Sequence, residues 1–384
     1  AREGFQVALL DHGKPTPWSQ GAVEGRVSAI NPASRNLLAH IGVWENIQRK
    51  RVSPYTRMSV WDSNSSAQIT FDAAEEGVSA LGHIVENDLI CHCLRERLAH
   101  NYNVTLLSDA RVTGFNTDSG TGKAIIEIEG RKPLQSDLVV AADGAHSSLR
   151  ALARIEISEQ DFQQDAITAT LLCSKHHQNT AWQVFTPSGP LAMLPLSDSR
   201  CSLVWSRDRT DVNEFLSMDD AAFCRHLESY FAGHLGDLQL AGSRMRFPLR
   251  SRHAHRYVAD HLALVGDAAH TIHPLAGLGA NLGMQDAAAL VETVTSARQR
   301  GKPATGQTVL RRYERWRRGE NGAALRAMQG FKNAFGAEGN AIRQIRAAAF
   351  HTADQVAPLK HVLAQLSMGT RGDLPAVCLQ AMED

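Results

Sequence analysis

The sequence predicts an α/β fold in two intertwined parts, completed by a helical C-terminal region, and three observations carry that prediction. Two short apolar runs, 138–142 and 262–265, each break into a Gly-containing turn, the pattern of a buried strand feeding a loop and then a helix. Between them, from about 161 to 247, strand-length segments alternate with Pro, Gly, Ser and Asp, which reads as an inserted, mainly antiparallel sheet. Beyond Gly301-Lys302-Pro303 the pattern is mostly helical. The expected organisation is a discontinuous first domain over 1–63, 82–160 and 248–305, a sheet domain over 64–81 and 161–247, and a helical region over 306–384.

Each element has a local reason. Ala1-Arg2-Glu3-Gly4 reads as the last turn of a helix closed by Gly, so residues upstream of Ala1 are expected. Residues 7–10 form a buried strand ending on Asp11. Asn31 as N-cap and Pro32 at the first helical position start a helix that runs to about His40. A second helix covers about 87–100. Strands follow at 103–107, 110–116 and 123–129, the last two joined by the turn Asp118-Ser119-Gly120-Thr121-Gly122, and then at 136–142. Inside the insert, 166–173, 182–186, 191–196 and 201–206 read as strands, and the apolar spacing of 218–231 reads as one helix. Pro248 closes that block, and a helix from about Leu282 follows the last buried strand.

Composition excludes several classes. The 384 residues are 43% hydrophobic and 21% charged, an ordinary globular balance that argues against disorder. Lys+Arg and Asp+Glu are both 40, so no net basic charge points to nucleic acid. No apolar run approaches the roughly 20 residues of a membrane-spanning helix. Six scattered cysteines do not suggest a disulfide framework, and Cys91-His92-Cys93 has no second ligand pair, so no metal site is expected. With no signal-peptide pattern, a cytoplasmic location is expected.

Three segments carry chemistry. Asp11 at a strand end could accept hydrogen bonds from a ribose, or be a plain loop acid. Asp143-Gly144 leads into Ala145-His146-Ser147-Ser148-Leu149-Arg150. There Gly144 allows close backbone approach, Asp143 could bind a hydroxyl, and Arg150 could pair with phosphate or lock the loop. The richest run is Gly266-Asp267-Ala268-Ala269-His270, followed by Pro274, Gly277, Gly279, Ala280, Asn281, Gly283 and Asp286. A strand, a Gly-Asp turn, further glycines and a helix start together offer an acceptor, flat backbone and unpaired amides. His270 and His273 read equally as bases or as structural loop residues.

The last run resembles the second flavin motif of the class A FAD-dependent aromatic hydroxylases, and Asp143-Gly144-Ala145-x-Ser147-x-x-Arg150 resembles their middle Asp-Gly motif. Arg26-Val27-Ser28-Ala29-Ile30-Asn31, Gly42-Val43-Trp44, Gly82-His83-Ile84-Val85-Glu86-Asn87 and Leu194-Pro195-Leu196 narrow the resemblance to the ubiquinone-biosynthesis hydroxylases, nearest the 2-octaprenylphenol hydroxylases. The resemblance implies a Rossmann-like FAD-binding domain, here without its N-terminal Gly-rich loop, and an inserted substrate sheet. It implies FAD as cofactor, NAD(P)H as reductant and O2 as oxygen donor. A flavin C(4a)-hydroperoxide would hydroxylate a hydrophobic prenylated phenol or quinol. By the same resemblance the cofactor site comprises Asp11, Arg26, Ser28, Asp143, Gly144, Arg150, Gly266, Asp267, Pro274, Gly277, Gly279, Ala280 and Asn281, with Asn87 nearby, and no acid–base residue is assigned. Leu278 stands where this subgroup carries Gln, which bears on substrate more than on flavin.

Trp182, Phe185, Met193, Trp205 and Phe247 are candidate pocket walls, or ordinary sheet core. The apolar spacing in 341–368 reads as a helix packed on the body or as a peripheral contact at the inner face of the membrane. The arginines of 311–318 read as a solvated helix face. Competing functional readings are a non-catalytic subunit of a quinone-biosynthesis complex and a hydroxylase of a small soluble phenol. A homo-oligomer is compatible with each.

Overall fold

In a computed structural model that describes residues 1–13, 18–21, 26–64, 68–118, 120–272, 277–336 and 356–379, the chain opens with β1 (Val7–Asp11). Then come β2 (Val27–Ile30), α1 (Pro32–His40), α2 (Trp44–Lys50) and β3 (Ser53–Tyr55). The Asn31 side chain accepts from Ser34 N, the cap that the Asn-Pro pair foretold. β4 (Arg57–Asp62) and β5 (Gln68–Asp72) pair antiparallel, and β6 (Gly82–Glu86) leads into α3 (Asn87–Ala99). β7 (Val104–Ser108) pairs parallel with β1, and α3 is the last element of the connection between them. An antiparallel meander of β8 (Val112–Asp118), β9 (Lys123–Ile128) and β10 (Leu134–Ser136) precedes β11 (Val139–Ala141) and α4 (Ser148–Leu152).

β12 (Ile157–Cys173) is 17 residues long, and only its second half was legible as strand. Its first half, rich in Glu, Gln and Asp, is held by ion pairs across to a partner strand rather than by apolar burial. β13 (Thr180–Thr186), β14 (Gly189–Pro195) and β15 (Arg200–Asp208) follow as hairpins. The helix expected over 218–231 is α6 (Asp220–Glu228), started by Asp219, which accepts from Ala222 N; a separate helix not expected from the sequence, α5 (Val212–Ser217), precedes it. β16 (Leu238–Leu240) and β17 (Met245–Ala254) return along β12; β17 bonds Arg250 and Arg252 to Glu159 and Arg250 to Asp161. β18 (Val258–Ala259), β19 (Leu262–Leu264), a 3-10 turn (Gly266–Ala268) and β20 (His270–Thr271) follow. Helix α7 (Leu278–Gln299) starts at Leu278, earlier than the sequence suggested; α8 (Gln307–Gly336), α9 (Ala357–Ser367) and α10 (Ala376–Leu379) end the described chain.

β20, β17, β12, β15, β14, β13, β4 and β5 form one large sheet in that order, with β16 beside β12. Both β4 and β5 belong to it, so it begins before residue 64. Its two faces differ. Ile167, Leu171, Leu203 and Val184 pack with Phe215 of α5, Phe223 and Leu227 of α6, and Phe231 just after α6. Strand alternation places Met193 and Trp205 on that same covered face, both with no exposure, and Trp182 beside them, stacked on His234. These three are therefore core, not pocket wall. Phe185 and Phe247 lie on the opposite face.

The C-terminal segment packs on the body. Ala364 and Met368 join the core formed by Tyr55, Val60, Ile69 and Phe71, while Lys360 pairs with Glu75 and His361 with Glu76. Asn36 Nδ2 donates to Cys378 O, tying α10 to α1. Among the described residues no helix is long and apolar enough to cross a membrane. Residues 341–355 lie outside the described residues.

Candidate active site

Strand register brings the two aspartate turns together. β11 and β19 are adjacent and parallel, with Ala141 opposite Leu264, so Asp143-Gly144 and Gly266-Asp267 leave the same ends of neighbouring strands. Val265 N donates to Ala141 O at 3.0 Å, carrying the pairing to the edge of the turns. Arg150 fastens them. Its Nη1 donates to Ala268 O and its Nη2 to Ala145 O, both at 2.9 Å, and the side chain is buried. Of its two sequence readings, the loop lock is the one the geometry builds.

The three predicted aspartates have different work. Asp143 accepts from Ser147 Oγ at 2.5 Å, Ser148 Oγ at 3.2 Å and Leu149 N at 3.2 Å, so its carboxylate organises the start of α4. Asp11 pairs with Arg95 of α3 and accepts from Gly13 N at 3.0 Å. Asp267 makes no hydrogen bond among the described residues and its side chain is open to solvent. Crowding protein around the turn nonetheless desolvates its carboxyl and raises its pKa, against the opposing pull of His270, Arg26 and Arg252. It is the one predicted acid left free to receive a ligand's hydroxyl groups.

Beneath the turn lies a buried polar knot. Asp286 of α7 accepts from Gly266 N at 3.1 Å, His270 Nε2 at 2.5 Å, Arg317 Nε at 2.8 Å and Asn321 Nδ2 at 2.9 Å. Asp286, Arg317 and Asn321 have no exposure and His270 almost none. Burial alone would raise the Asp286 pKa, but His270 and Arg317 hold it below the ordinary carboxylate value. His270 is thus a structural residue of the loop. Arg317, expected on a solvated face, is buried instead. Tyr313, Arg317 and Asn321 recur every four residues on α8 and face inward together, a stripe whose polar members hid it from a hydrophobicity pattern.

The N-terminus of α7 closes the site from the other side. Gly277, at φ +61°, starts the helix without a side-chain cap, and a Cβ there would sit 3.1 Å from the Ala29 Cβ of β2. Asn281 is buried and structural: Nδ2 donates to Ala29 O at 2.7 Å and Gly277 O at 3.0 Å, and Oδ1 accepts from Asn31 N at 3.1 Å. Gly283 packs against Gly266, where a Cβ would lie 3.2 Å from the Gly266 Cα. Ser28 Oγ donates to Asn87 Oδ1 at 2.7 Å. The Arg26 guanidinium lies over the Phe247 ring at 5.1 Å, joining β2 to the large sheet. Pro274 and His273 lie outside the described residues.

The residues present fit a flavin dinucleotide. Asp267 is an unengaged acceptor. A helix of 22 residues presents its first amides without a side-chain cap. Among the described residues, added Cβ atoms at Gly144 and Gly279 would meet nothing within 4 Å, and Ala280 is exposed. With a parallel-stranded unit on one side and an antiparallel sheet on the other, the class is an α/β flavoprotein.

Similarity to known proteins supplies the family. The FAD binding domain family matches residues 1–326. The 3-demethoxyubiquinol 3-hydroxylase of Escherichia coli is 34% identical over 96% of this chain and 94% of that protein. Ubiquinone hydroxylase UbiL of Rhodospirillum rubrum is 32% identical over 96% of this chain and 85% of that protein. Among solved structures, p-nitrophenol 4-monooxygenase PnpA of Pseudomonas putida superposes with a TM-score of 0.75 at 18% identity, covering 96% of this chain and 93% of that one. The chain belongs to the FAD-binding domain family and, within it, to the ubiquinone-biosynthesis hydroxylases; it is an FAD-dependent aromatic hydroxylase.

Proposed function

We propose that this enzyme hydroxylates the aromatic ring of a polyprenylated ubiquinone precursor, with NAD(P)H as reductant and O2 as the source of the oxygen atom. The observation that carries the substrate class is the face of the large sheet turned away from α5 and α6. Met245, Thr168, Val204, Ala192, Gln183 and Val60 stand in one register across six strands, turned away from α5 and α6. They form a mostly apolar track of small and medium side chains, with Phe247 next to Arg26 at one end; at the other end Val60 and Phe185 are buried against Ala364 of α9 and Met368. Such a surface suits a flat ring with a hydrocarbon tail better than a small anionic phenol.

FAD, when bound, supplies the oxygen activation. The protein's part is positioning and exclusion of water. Asp267 would accept from polyol or ribose hydroxyls, the α7 N-terminal amides would face an electron-rich carbonyl or phosphate oxygen, and Arg150 with Asp286 would keep both turns rigid. Arg26 would bring positive charge to the junction with the sheet. The prenyl tail favours work at the membrane surface, with a quinone-biosynthesis complex or a homo-oligomer as the setting. The E. coli relative acts on a demethoxyubiquinol by its name, which supports the same substrate class.

The test is substrate-stimulated NAD(P)H oxidation coupled to product analysis in flavin-loaded enzyme. Prenylated phenols or quinols are expected to yield hydroxylated product. Coupled turnover of simple hydroxybenzoates, with prenylated compounds inert, would replace this reading with that of a small-phenol hydroxylase.

A further inference from the structure

α8 carries a row of cations that its own neighbours do not neutralise. Arg315, Arg318 and Arg326 lie on one helical face around Gly322 and line a cavity of about 460 Å³ with His253 and Glu314. None of the three arginines forms an ion pair among the described residues. Glu314, the acid in the lining, accepts from Tyr257 N at 2.7 Å and keeps its charge, so the arginines outnumber the acid three to one. His253 brings no compensating negative charge: its Nε2 is bonded to Tyr257 Oη at 3.1 Å, and burial together with Arg318, His270, Arg326 and His255 pushes its pKa down to about 4.

The recess exists because two positions of the helix lack side chains. Gly319 and Gly322 are interior to α8, where glycine is disfavoured by roughly 1 kcal/mol relative to Ala. A Cβ at Gly322 would enter the cavity 3.4 Å from Arg326 Nη1 and 3.4 Å from His253 Cε1. A second recess of about 270 Å³ continues past the shared residues His253, Gly322 and Arg326 and is floored by Phe162, Ile272, Leu325 and Met328. Arg252 and Glu159, which also line it, are paired with each other. An arginine-lined mouth thus opens onto an apolar floor.

We propose that this cleft between α8 and β17 binds a phosphoryl group, with Arg315, Arg318 and Arg326 as its ligands and the adjoining recess taking an apolar portion of the same molecule. In a chain whose total charge is zero, three guanidinium groups facing one cavity repel each other until an anion joins them. Guanidinium geometry matches phosphate oxygens, and the exposed placement leaves the donors free. Two sources share this chemistry, an anionic phospholipid headgroup and a soluble phosphorylated compound. The three arginines lie on α8 and none belongs to the flavin-facing turns, so their test does not depend on the substrate assignment.

The experiment uses the full chain. Calorimetric titration with inorganic pyrophosphate is run beside co-sedimentation with phosphatidylglycerol–phosphatidylcholine vesicles and with phosphatidylcholine alone. The triple variant Arg315→Gln, Arg318→Gln, Arg326→Gln is compared with Arg225→Gln on α6, which removes one charge elsewhere. Saturable pyrophosphate binding weakened by about tenfold or more in the triple variant and unchanged in Arg225→Gln supports the site, since one charge-assisted hydrogen bond is worth about a decade in affinity. Sedimentation with the phosphatidylglycerol vesicles alone, lost in the same variant, identifies the headgroup as the source; pyrophosphate binding without vesicle binding identifies a soluble ligand. Because exposed arginines tolerate Gln, the triple variant should fold, and a thermal melt checks it. Gly322→Leu, which fills the recess and retains all three charges, should also weaken binding. No saturable binding of either probe, or equal binding by the wild type and the triple variant, overturns the proposal and leaves a solvated helix face.

Discussion

Replacing Asp286 by Asn keeps the shape of the side chain and removes the charge on which four donors converge. Gly266 N, His270 Nε2, Arg317 Nε and Asn321 Nδ2 all reach this one carboxylate, at 3.1, 2.5, 2.8 and 2.9 Å. Arg317 would be left as a buried cation without its partner. Breaking a buried ion pair from one side costs about 3–5 kcal/mol, far more than an exposed pair. Asp286→Asn should therefore lower unfolding free energy by about 3–5 kcal/mol in denaturant titration. It should also loosen the Gly266 turn, seen as weaker FAD retention by absorbance near 450 nm. Adding Arg317→Met removes the stranded charge and should recover a good part of the lost stability. The pH dependence has a definite sign. The native Asp286 carboxyl is held below its ordinary value, so its contribution is complete above the unfolded carboxylate pKa of about 3.9 and disappears as pH falls through the depressed native value. The variant's stability should be flatter on the acid side. A loss below about 1 kcal/mol, or no recovery in the double variant, would refute the claim that this knot holds the turn.

Other perturbations separate binding from folding. Asp267→Asn should weaken FAD binding by on the order of tenfold in a flavin-fluorescence titration while leaving the thermal midpoint of the flavin-free protein unchanged or higher, because the carboxylate makes no protein hydrogen bond. Arg150→Met leaves Ala145 O and Ala268 O without their donors and should reduce stability by about 2 kcal/mol and flavin affinity with it, both read on one sample. Trp205→Ala should cost about 3–5 kcal/mol of stability, whereas Phe247→Ala should cost less and raise KM for substrate, as steady-state kinetics will show. Gly277→Ala forces a Cβ into a left-handed position 3.1 Å from Ala29 and should destabilise by about 1 kcal/mol or more and reduce flavin occupancy.

What could be read from the chain was local. The Asn31-Pro32 cap, the strand–Gly-Asp turn and the hairpins each sit within a few residues, and the backbone geometry they require is written in those residues. That Asp143 and Asp267 share one edge was also within reach, because a buried apolar strand before each implies a common sheet. Which aspartate stays free was not. Asp143 and Asp267 have nearly the same neighbours in sequence, yet Ser147, Ser148 and Leu149 satisfy the first, and nothing comparable follows the second, where Ala268 and Ala269 carry no donor side chains. Compared that way, the two motifs did contain the difference.

Face and partner over long distances were the illegible part. Trp182, Met193 and Trp205 occur in strands that are apolar on both sides, so alternation cannot say which side meets α5 and α6; only the register does. Arg317 lies in a run of arginines whose outward members conceal it, and its partner Asp286 is on another helix, 31 positions away. The same physics separates Arg317 from Arg315, Arg318 and Arg326. One turn of helix places the first over a buried carboxylate and the others around an opening where they outnumber its one acid among the described residues. A cation's position on the helix therefore decides whether it closes a fold or awaits a ligand, and the sequence records only that it is a cation.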